Sequence, residues 1–364
     1  MAGSQNAFAA AFVEGFNAHP TDALIRNAAT TMELHDWGGV HLPLTINSGE
    51  PNGTFVCSPR VAWTDFIREE LTRFPRPWLV PAIRAVVRGV ELLTRRSDLD
   101  RIVHVNNWMM STNLPSGIDP ALCTAQTDRL AACFPEHILA MRSLTERHSG
   151  PLMTALRASG WLFLPARQVY ILDDVARQGL TRRDSRSDAK LWKTGRFKHG
   201  PLQTMSERDA ERIADLYRLL YIEKYTPLNP QYTPRFVRFA HDIGLLRFFV
   251  LRDAAGDIQA TGGIRHLGEH AAMPFLGYNT ALDQTLGLYR LACHAGSLYA
   301  AQHGLRLNKS SGATLFKRTR GATAEMEYTA FYIRHLPRNR QRPFAALELI
   351  AKHVGIPILQ RYAL

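Results

Sequence analysis

The chain has few cysteines and no long apolar segment. Cys57, Cys123, Cys133 and Cys293 are isolated, with neither CxxC spacing nor paired histidines nearby, a pattern that indicates buried thiols in a reducing compartment. No apolar run approaches the roughly 20 residues that span a bilayer. The N-terminus lacks the basic region of a signal peptide and carries Glu14 inside its apolar stretch. We therefore expect a cytoplasmic protein with no membrane partner.

A recognisable metal-binding motif is also missing. His35, Asp36 and His41 lie close together, but neither a fourth ligand nor HExxH spacing accompanies them. We therefore expect no metal. A histidine beside a carboxylate can instead act as a general base toward an amine, so His35 and Asp36 are candidate catalytic residues.

The chain has an excess of positive charge. It carries 44 Lys and Arg residues against 32 Asp and Glu, a net charge of +12. Such an excess favours a polyanionic partner, because clustered cations release counterions from phosphates; an evenly spread excess of arginine gives the same total. One cluster occupies residues 182–200, opposed only by Asp184 and Asp188, and a second lies within residues 309–320. Their members are Arg182, Arg183, Arg186, Lys190, Lys193, Arg196 and Lys198, then Lys309, Lys317, Arg318 and Arg320.

The hydrophobic pattern predicts one supersecondary order twice. With 364 residues, 46% of them hydrophobic, the chain is long enough for about two domains. Ser206 and Asp209 form a capping-box pattern that opens a helix to about Lys224. The predicted domains are residues 1–175 and 206–337, with a basic linker at 176–205 and an extension at 338–364. The other predicted strands are 54–58, 101–113, 137–144, 161–172, 246–252, 258–264, 275–278, 305–308 and 326–336, and the other predicted helices are 63–74, 81–95, 121–133, 151–159 and 287–304.

The segment at Phe316, Lys317 and Gly321 precedes a terminal strand and resembles the closing signature of the GNAT-like domains in Fem-type peptidyltransferases. The resemblance covers roughly residues 201–336. It implies an α/β fold of two tandem GNAT-like domains, with mixed central sheets flanked by helices. It also implies an acyltransferase, in which Lys317 is a cation near the tRNA acceptor end or the developing oxyanion.

The expected donor follows from one loop. GNAT domains hold the pyrophosphate of acyl-CoA on backbone amides at a helix N-terminus, in a Gln/Arg-x-x-Gly-x-Gly/Ala pattern. Gln284 and Gly287 keep this pattern, but Tyr289 replaces the second small residue, and its side chain would crowd a phosphate. Fem-type enzymes take their acyl group from aminoacyl-tRNA, which would also account for the basic cluster. The candidate donor-binding residues are Gln284, Gly287, Tyr289, Arg290, Lys309 and Arg320.

Two other segments carry candidate acceptor-binding groups. A polar run around a Trp-Met-Met centre presents amides and hydroxyls that suit a polar acceptor, although Asn and Ser-Thr chemistry also ends strands. Glycines inside a strand allow close approach of a ligand. Tyr278 is a candidate proton donor to the leaving group, with sheet-helix packing as the alternative. The candidate acceptor-binding residues are Asn106, Asn107, Ser111, Thr112, Asn113, Gly262, Gly263 and Arg265.

These features together predict an N-acyltransferase of a biosynthetic pathway. It would move an aminoacyl or acyl group to an amine of a small molecule or peptide. The donor is a co-substrate, aminoacyl-tRNA in preference to acyl-CoA, and no bound cofactor is expected. The alternatives are a CoA-dependent GNAT N-acetyltransferase and a GNAT-like binding protein without catalysis.

Overall fold

The computed structural model describes residues 2–115 and 117–362. These residues divide into two compact units, each of which contains strands and helices. Unit 1 contains the chain up to Ala166 together with Thr226–Pro230 and Glu327–Tyr362. Unit 2 contains Arg167–Tyr225 and Gln231–Met326. Each unit therefore combines segments that are separate in the sequence.

The elements follow in chain order. As far as the end of β5 they are α1 (Ala2–Asn17), β1 (Thr31–Asp36), β2 (His41–Ser48), α2 (Pro59–Trp63), α3 (Asp65–Glu70), α4 (Val80–Arg96), β3 (Arg101–Val105), α5 (Cys123–Cys133), β4 (Ile138–Leu144), α6 (Glu146–Ala158) and β5 (Leu162–Leu172). From there they are α7 (Arg183–Lys193), β6 (Lys198–Pro201), α8 (Glu207–Tyr217), α9 (Pro234–Asp242), β7 (Arg247–Arg252), β8 (Ile258–Leu267), β9 (His270–Tyr278), α10 (Leu288–Gln302), β10 (Arg306–Asn308), α11 (Thr314–Thr319), β11 (Thr323–Tyr332), α12 (Arg338–Ile350) and α13 (Ile356–Tyr362). The described chain also contains short 3₁₀ turns and three π-helical turns, at Val175–Gly179, Arg218–Glu223 and Ala351–Gly355.

Unit 1 has a mixed sheet in the order β1-β2-β3-β4-β11. Strand β3 runs parallel to β4, and the other pairs are antiparallel. Successive side chains of a strand point to opposite faces. Because β3 and β4 are almost continuously apolar, they contribute side chains to a hydrophobic core on each face of the sheet. Val103 and Met141 join the core that contains residues of α5 and α6, whereas Ile102 and Ile138 join the core that contains residues of α4 and α12.

Unit 2 has a sheet in the order β5-β10-β9-β8-β7-β6. Strands β6 to β9 form an antiparallel meander, and β10 runs parallel to β9 but antiparallel to β5. Helix α10 supplies apolar side chains to two cores of this unit. Leu291 and Cys293 pack with Leu251 and Leu276 in one of them, and Tyr299 packs in the other.

Glycines let two helices approach the sheet of unit 2 closely. A Cβ at Gly277 would lie 2.6 Å from backbone atoms of Leu216 and Tyr217 in α8. A Cβ at Gly262 would lie 3.0 Å from Cε of Met273 and 3.8 Å from the carbonyl oxygen of Ala292 in α10. The space beside the predicted ligand-approach glycines is thus occupied by side chains of the same unit.

The predicted order of elements from residue 270 onward is observed, and four predictions elsewhere are wrong. Residues 55–57 form a turn rather than a strand. The polar strand ends at Val105, because Asn106 and Met109 adopt left-handed backbone with φ of 58° and 57°. The basic linker contains α7 and β6, and Cys133 is exposed rather than buried.

Strands β1 and β2 and helix α9 were not predicted.

None of the helices in residues 2–115 and 117–362 combines the length and the apolar character that a membrane crossing requires.

Replacing Gly277 by alanine should strongly destabilise the protein. The added methyl group would meet main-chain atoms of α8, which move only if the helix moves, and overpacking of this kind typically costs about 1–3 kcal/mol. Gly200→Ala is the matched control, because a Cβ there meets nothing within 4 Å. Urea denaturation of both variants tests this; equal stability of the two would contradict the close approach of α8.

Candidate active site

The sheet of unit 2 opens between β9 and β10. Their parallel pairing extends from Arg306 opposite His270 to Asn308 opposite Ala272. Strand β10 then ends, while β9 continues to Tyr278. Beyond Ala272, β9 therefore keeps only β8 as a described strand partner. Side chains of α10, of the loop after β10 and of α11 meet near this opening.

Lys317 is the buried cation of this region. It lies in α11 with 5% of its surface exposed. Its Nζ donates hydrogen bonds to the carbonyl oxygens of Ser310 at 3.1 Å and Ser311 at 2.5 Å and lies 5.6 Å from the ring centroid of Tyr170. Burial lowers the pKa of Lys317 to about 7; Cys293 opposes this shift, whereas Lys309 and Arg167 add to it. The amine thus changes its charge near neutral pH.

The loop that receives the Lys317 hydrogen bonds has an unusual backbone. Ser310 and Ala313 have positive φ values of 59° and 45°, and Gly312 between them has 74°. Non-glycine residues in this conformation are strained and persist where their surroundings hold them. Hydrogen bonds from Ser310 N to the Asn308 side chain and from Tyr170 N to the Ser310 carbonyl hold this loop. Lys317 therefore also fixes the loop that ends β10.

Cys293, Tyr289 and Lys309 surround the buried side of α10. Burial raises the pKa of the Cys293 thiol, while Lys309, Lys317 and a hydrogen bond with Tyr289 act in the opposite direction. Burial also holds the pKa of Tyr289 well above its ordinary value. Lys309 Nζ donates to Ser297 Oγ at 3.2 Å, and burial lowers its pKa. A cavity of about 10 Å³ beside Cys293, Ser297 and Lys309 has room for about one water.

Asp188 of α7 binds two cations that the sequence assigned to the donor. Its Oδ1 accepts from Arg290 Nε at 2.6 Å and from Arg320 at 3.0 Å, and its Oδ2 accepts from Arg320 Nε at 2.5 Å. Asp188 is 2% exposed. The Arg320 guanidinium also lies 3.6 Å from the ring centroid of Phe316. Arg290 and Arg320 are thus held by the protein's own carboxylate.

Helix α7 covers the N-terminus of α10. A Cβ on Gly287, the residue before α10, would lie 2.5 Å from Cδ2 of Leu191. Arg290 also donates to Ser187 Oγ at 2.9 Å. Gln284 remains exposed in the short turn before Gly287. The side chain of Leu191 therefore packs directly against the residue that precedes α10.

The outer face of α7 carries the basic cluster. Arg183, Arg186, Lys190 and Lys193 follow one another at intervals of three and four residues, which places them on one side of a helix. All four are exposed, and no described residue forms an ion pair or a side-chain hydrogen bond with them. Asp188 and Ser185 lie on the buried side. The sequence identified these cations, but not the helix that presents them.

Tyr278 accepts a hydrogen bond at the end of β9. The donor is Lys224 Nζ at 2.9 Å, and this hydrogen bond raises the pKa of Lys224. The ring of Tyr278 lies 6.1 Å from that of Tyr289 in an edge-to-face arrangement. Lys224, Asp188 and Cys293 were not assigned to the site from sequence. Asp188 had a signal, since it is one of only two acidic residues in the basic cluster.

The histidine and carboxylate candidates lie in unit 1 and do not hydrogen-bond each other. His35 Nε2 is 3.0 Å from Gln126 Oε1, and burial lowers the pKa of His35. Asp36 Oδ1 accepts from the backbone of Gly39 at 2.6 Å. Adjacent strand residues point to opposite faces, which separates the two side chains.

No group of three His, Cys, Asp or Glu residues in the described part of the chain is arranged to hold a metal.

The polar run of unit 1 is used within the protein. Asn107 donates to Thr45 Oγ1 and to the Val56 carbonyl, both at 2.9 Å. Asn113 accepts from Trp108 N at 3.1 Å, and Asn106 donates to the Leu114 carbonyl at 3.1 Å. These amides fix the turns that follow β3.

Three other acceptor-binding candidates are placed as follows. Ser111 lies partly exposed and Thr112 buried in the loop after β3. Arg265 in β8 is 3% exposed, and burial lowers its pKa to about 9.

Comparison with known proteins gives structural similarity only. No family model and no curated protein matches the chain. FemX is 10% identical, covers 64% of this chain and 84% of its own, and has a TM-score of 0.49. L-PGS from Bacillus licheniformis is 12% identical, covers 70% and 83%, and has a TM-score of 0.48. A tandem GNAT protein from the clavulanic acid biosynthesis pathway is 14% identical, covers 63% and 75%, and has a TM-score of 0.35.

These structures include a Fem protein and a tandem GNAT protein, the two kinds of protein that the sequence resemblance named. The predicted fold class is confirmed: the chain is α/β, with mixed sheets flanked by helices.

Lys317→Met should change stability in a way that depends on pH. The folded pKa lies near 7 and the unfolded one near 10.4, so the unfolded chain binds more protons between these values and the parent gains stability as pH rises. The free energy of unfolding of Lys317→Met relative to the parent should therefore fall from pH 7 to pH 10. Urea denaturation at several pH values measures this difference. Exposed Lys190→Met should show no such trend, and a flat difference for Lys317→Met would contradict the shifted pKa.

Proposed function

We propose that this protein is an N-acyltransferase that moves an aminoacyl or acyl group to an amine of a small molecule or peptide, and that the reaction takes place in unit 2. The observation that carries this proposal is the buried Lys317 near the opening between β9 and β10. Burying an amine is costly. Two of the three N–H groups of the Lys317 ammonium donate to the carbonyl oxygens of Ser310 and Ser311, so the third can donate to a substrate. Perturbed groups of this kind concentrate at functional sites.

The proposed chemistry follows from the charge of Lys317. The acceptor nitrogen attacks the acyl carbon, a C–N bond forms, the bond from that carbon to the donor oxygen or sulfur breaks, and the amine proton leaves with solvent or the departing group. The carbonyl oxygen gains negative charge in the transition state. A preorganised ammonium in a dry site stabilises that charge more than it would in water. Lys317 acts here in its protonated form.

The donor we propose is aminoacyl-tRNA. Leu191 covers the residue before α10, and Arg290 and Arg320 already pair with the carboxylate of Asp188, so neither guanidinium is free to bind a pyrophosphate in the usual GNAT manner. The outward cations of α7 instead suit an extended phosphate backbone. Lys309 and Lys317 then remain for the acylated end of the donor.

The donor is tested by binding of charged tRNA and of acetyl-CoA at several salt concentrations. Charged tRNA should bind with an affinity that falls steeply as salt increases. Replacing Arg183, Arg186, Lys190 and Lys193 together by glutamine should reduce the slope of log K against log salt by roughly 3, at about 0.7–0.9 for each lost phosphate contact. The matched control replaces Arg84, Arg88, Arg338 and Arg342, which are also exposed and form no ion pair with a described residue, and should leave the slope unchanged.

Two outcomes would overturn this donor. Tight stoichiometric binding of acetyl-CoA without tRNA affinity would favour the CoA-dependent alternative. Binding of neither donor, with a folded protein, would favour a binding protein without catalysis.

Lys317→Met should lower kcat by on the order of 100-fold, the typical cost of one preorganised electrostatic contact. In the parent, the rate should fall as pH rises above about 7, because Lys317 loses its proton. Single-turnover rates from pH 6 to pH 9 measure both effects, with circular dichroism to verify folding. A rate that rises through pH 7 and requires Lys317 would make it a general base, and turnover within about threefold of the parent would remove it from the mechanism.

A further inference from the structure

A groove of about 530 Å³ lies in unit 1. Its walls are the end of α6, the turn before β5, the first residues of β5, the segment after β11, and α12. This volume is within the range of small-molecule sites, about 300–1,000 Å³. No sequence motif marked this groove, because its lining comes from two parts of the chain that are distant in sequence, residues 157–163 and 333–348.

Arg334 forms the cationic part of the groove. Gly160 has a φ of 88°, and a Cβ there would lie 2.4 Å from Cζ of Arg334. The guanidinium thus lies directly against the glycine, and a side chain at position 160 would displace it. No described residue forms an ion pair or a hydrogen bond with the guanidinium. Its donors are therefore open to a ligand.

Glu348 forms the anionic part. It lies exposed in α12, and no described residue pairs with its carboxylate; partial burial raises its pKa. The other charge of the groove, Arg157, is already engaged, because it donates to Glu146 at 2.6 Å and lies 4.5 Å from the ring centroid of Phe163. Arg334 and Glu348 line the same groove without forming a salt bridge with each other.

We propose that this groove binds a small zwitterion, an α-amino acid or a short peptide with free ends. The ligand carboxylate pairs with the fork of Arg334, whose geometry matches a carboxylate, and the ligand ammonium pairs with Glu348. Phe163 supplies apolar surface for the ligand side chain. This inference does not depend on the proposed function, because it concerns binding without a donor.

The test is isothermal titration calorimetry with the full chain, the twenty free amino acids and glycyl-leucine, without tRNA or CoA. At least one probe should bind at millimolar concentration or better. The best probe is then compared with its methyl ester, which lacks the carboxylate, and its N-acetyl derivative, which lacks the ammonium. Arg334→Met should reduce the affinity for the unmodified probe by about tenfold or more, which is the contribution of one charge-assisted hydrogen bond. The affinity for the methyl ester should not change.

Glu348→Gln should show the reverse pattern: weaker binding of the parent probe and unchanged binding of the N-acetyl derivative. Arg342→Met, an exposed cation of the same helix that does not line the groove, is the control and should change nothing. Failure of every probe to bind, or binding that neither Arg334→Met nor Glu348→Gln affects, would overturn the proposal. Either result would leave the donor experiments of unit 2 untouched.

Discussion

The carboxylate of Asp188 holds the candidate site of unit 2 together. It joins α7 to α10 through Arg290 and to the end of α11 through Arg320. A buried charge is tolerated only when it is paired and hydrogen-bonded, and three short contacts meet that requirement. Because the inner face of α7 is fixed in this way, its four cations point outward and its Leu191 covers the start of α10.

Lys317 gives the same region its chemical character. Burying an amine costs stability, and burial lowers the pKa of Lys317 to about 7 because it penalises the charged form. We interpret this as stability given up for function, a common pattern at active sites. Its ammonium lies against the loop that follows β10, the strand at which the pairing with β9 ends.

The sequence predicted much of this fold and less of the site. Strand, helix and turn signals between residues 270 and 332 were strong because apolar periodicity and glycine positions agreed. The sequence of α7 resembles a linker, because its many charged residues hide a narrow inner face of buried Ser185 and Asp188 and half-buried Leu191. The partners of the buried polar side chains could not be predicted, because they are distant in sequence. Only the folded chain shows that Asp188 forms ion pairs with Arg290 and Arg320. The hydrogen bonds from Asn107 to Thr45 and Val56 are likewise visible only in the structure.

Photo-crosslinking would test the central proposal, that the acylated end of a tRNA meets Lys317, most directly. A tRNA carrying a non-hydrolysable aminoacyl group with a diazirine would be irradiated with the protein, and labelled peptides located by mass spectrometry. Our account predicts labels in residues 273–278 and 309–317, and their loss on competition with unlabelled charged tRNA. Labels confined to unit 1, or no competed label, would contradict it.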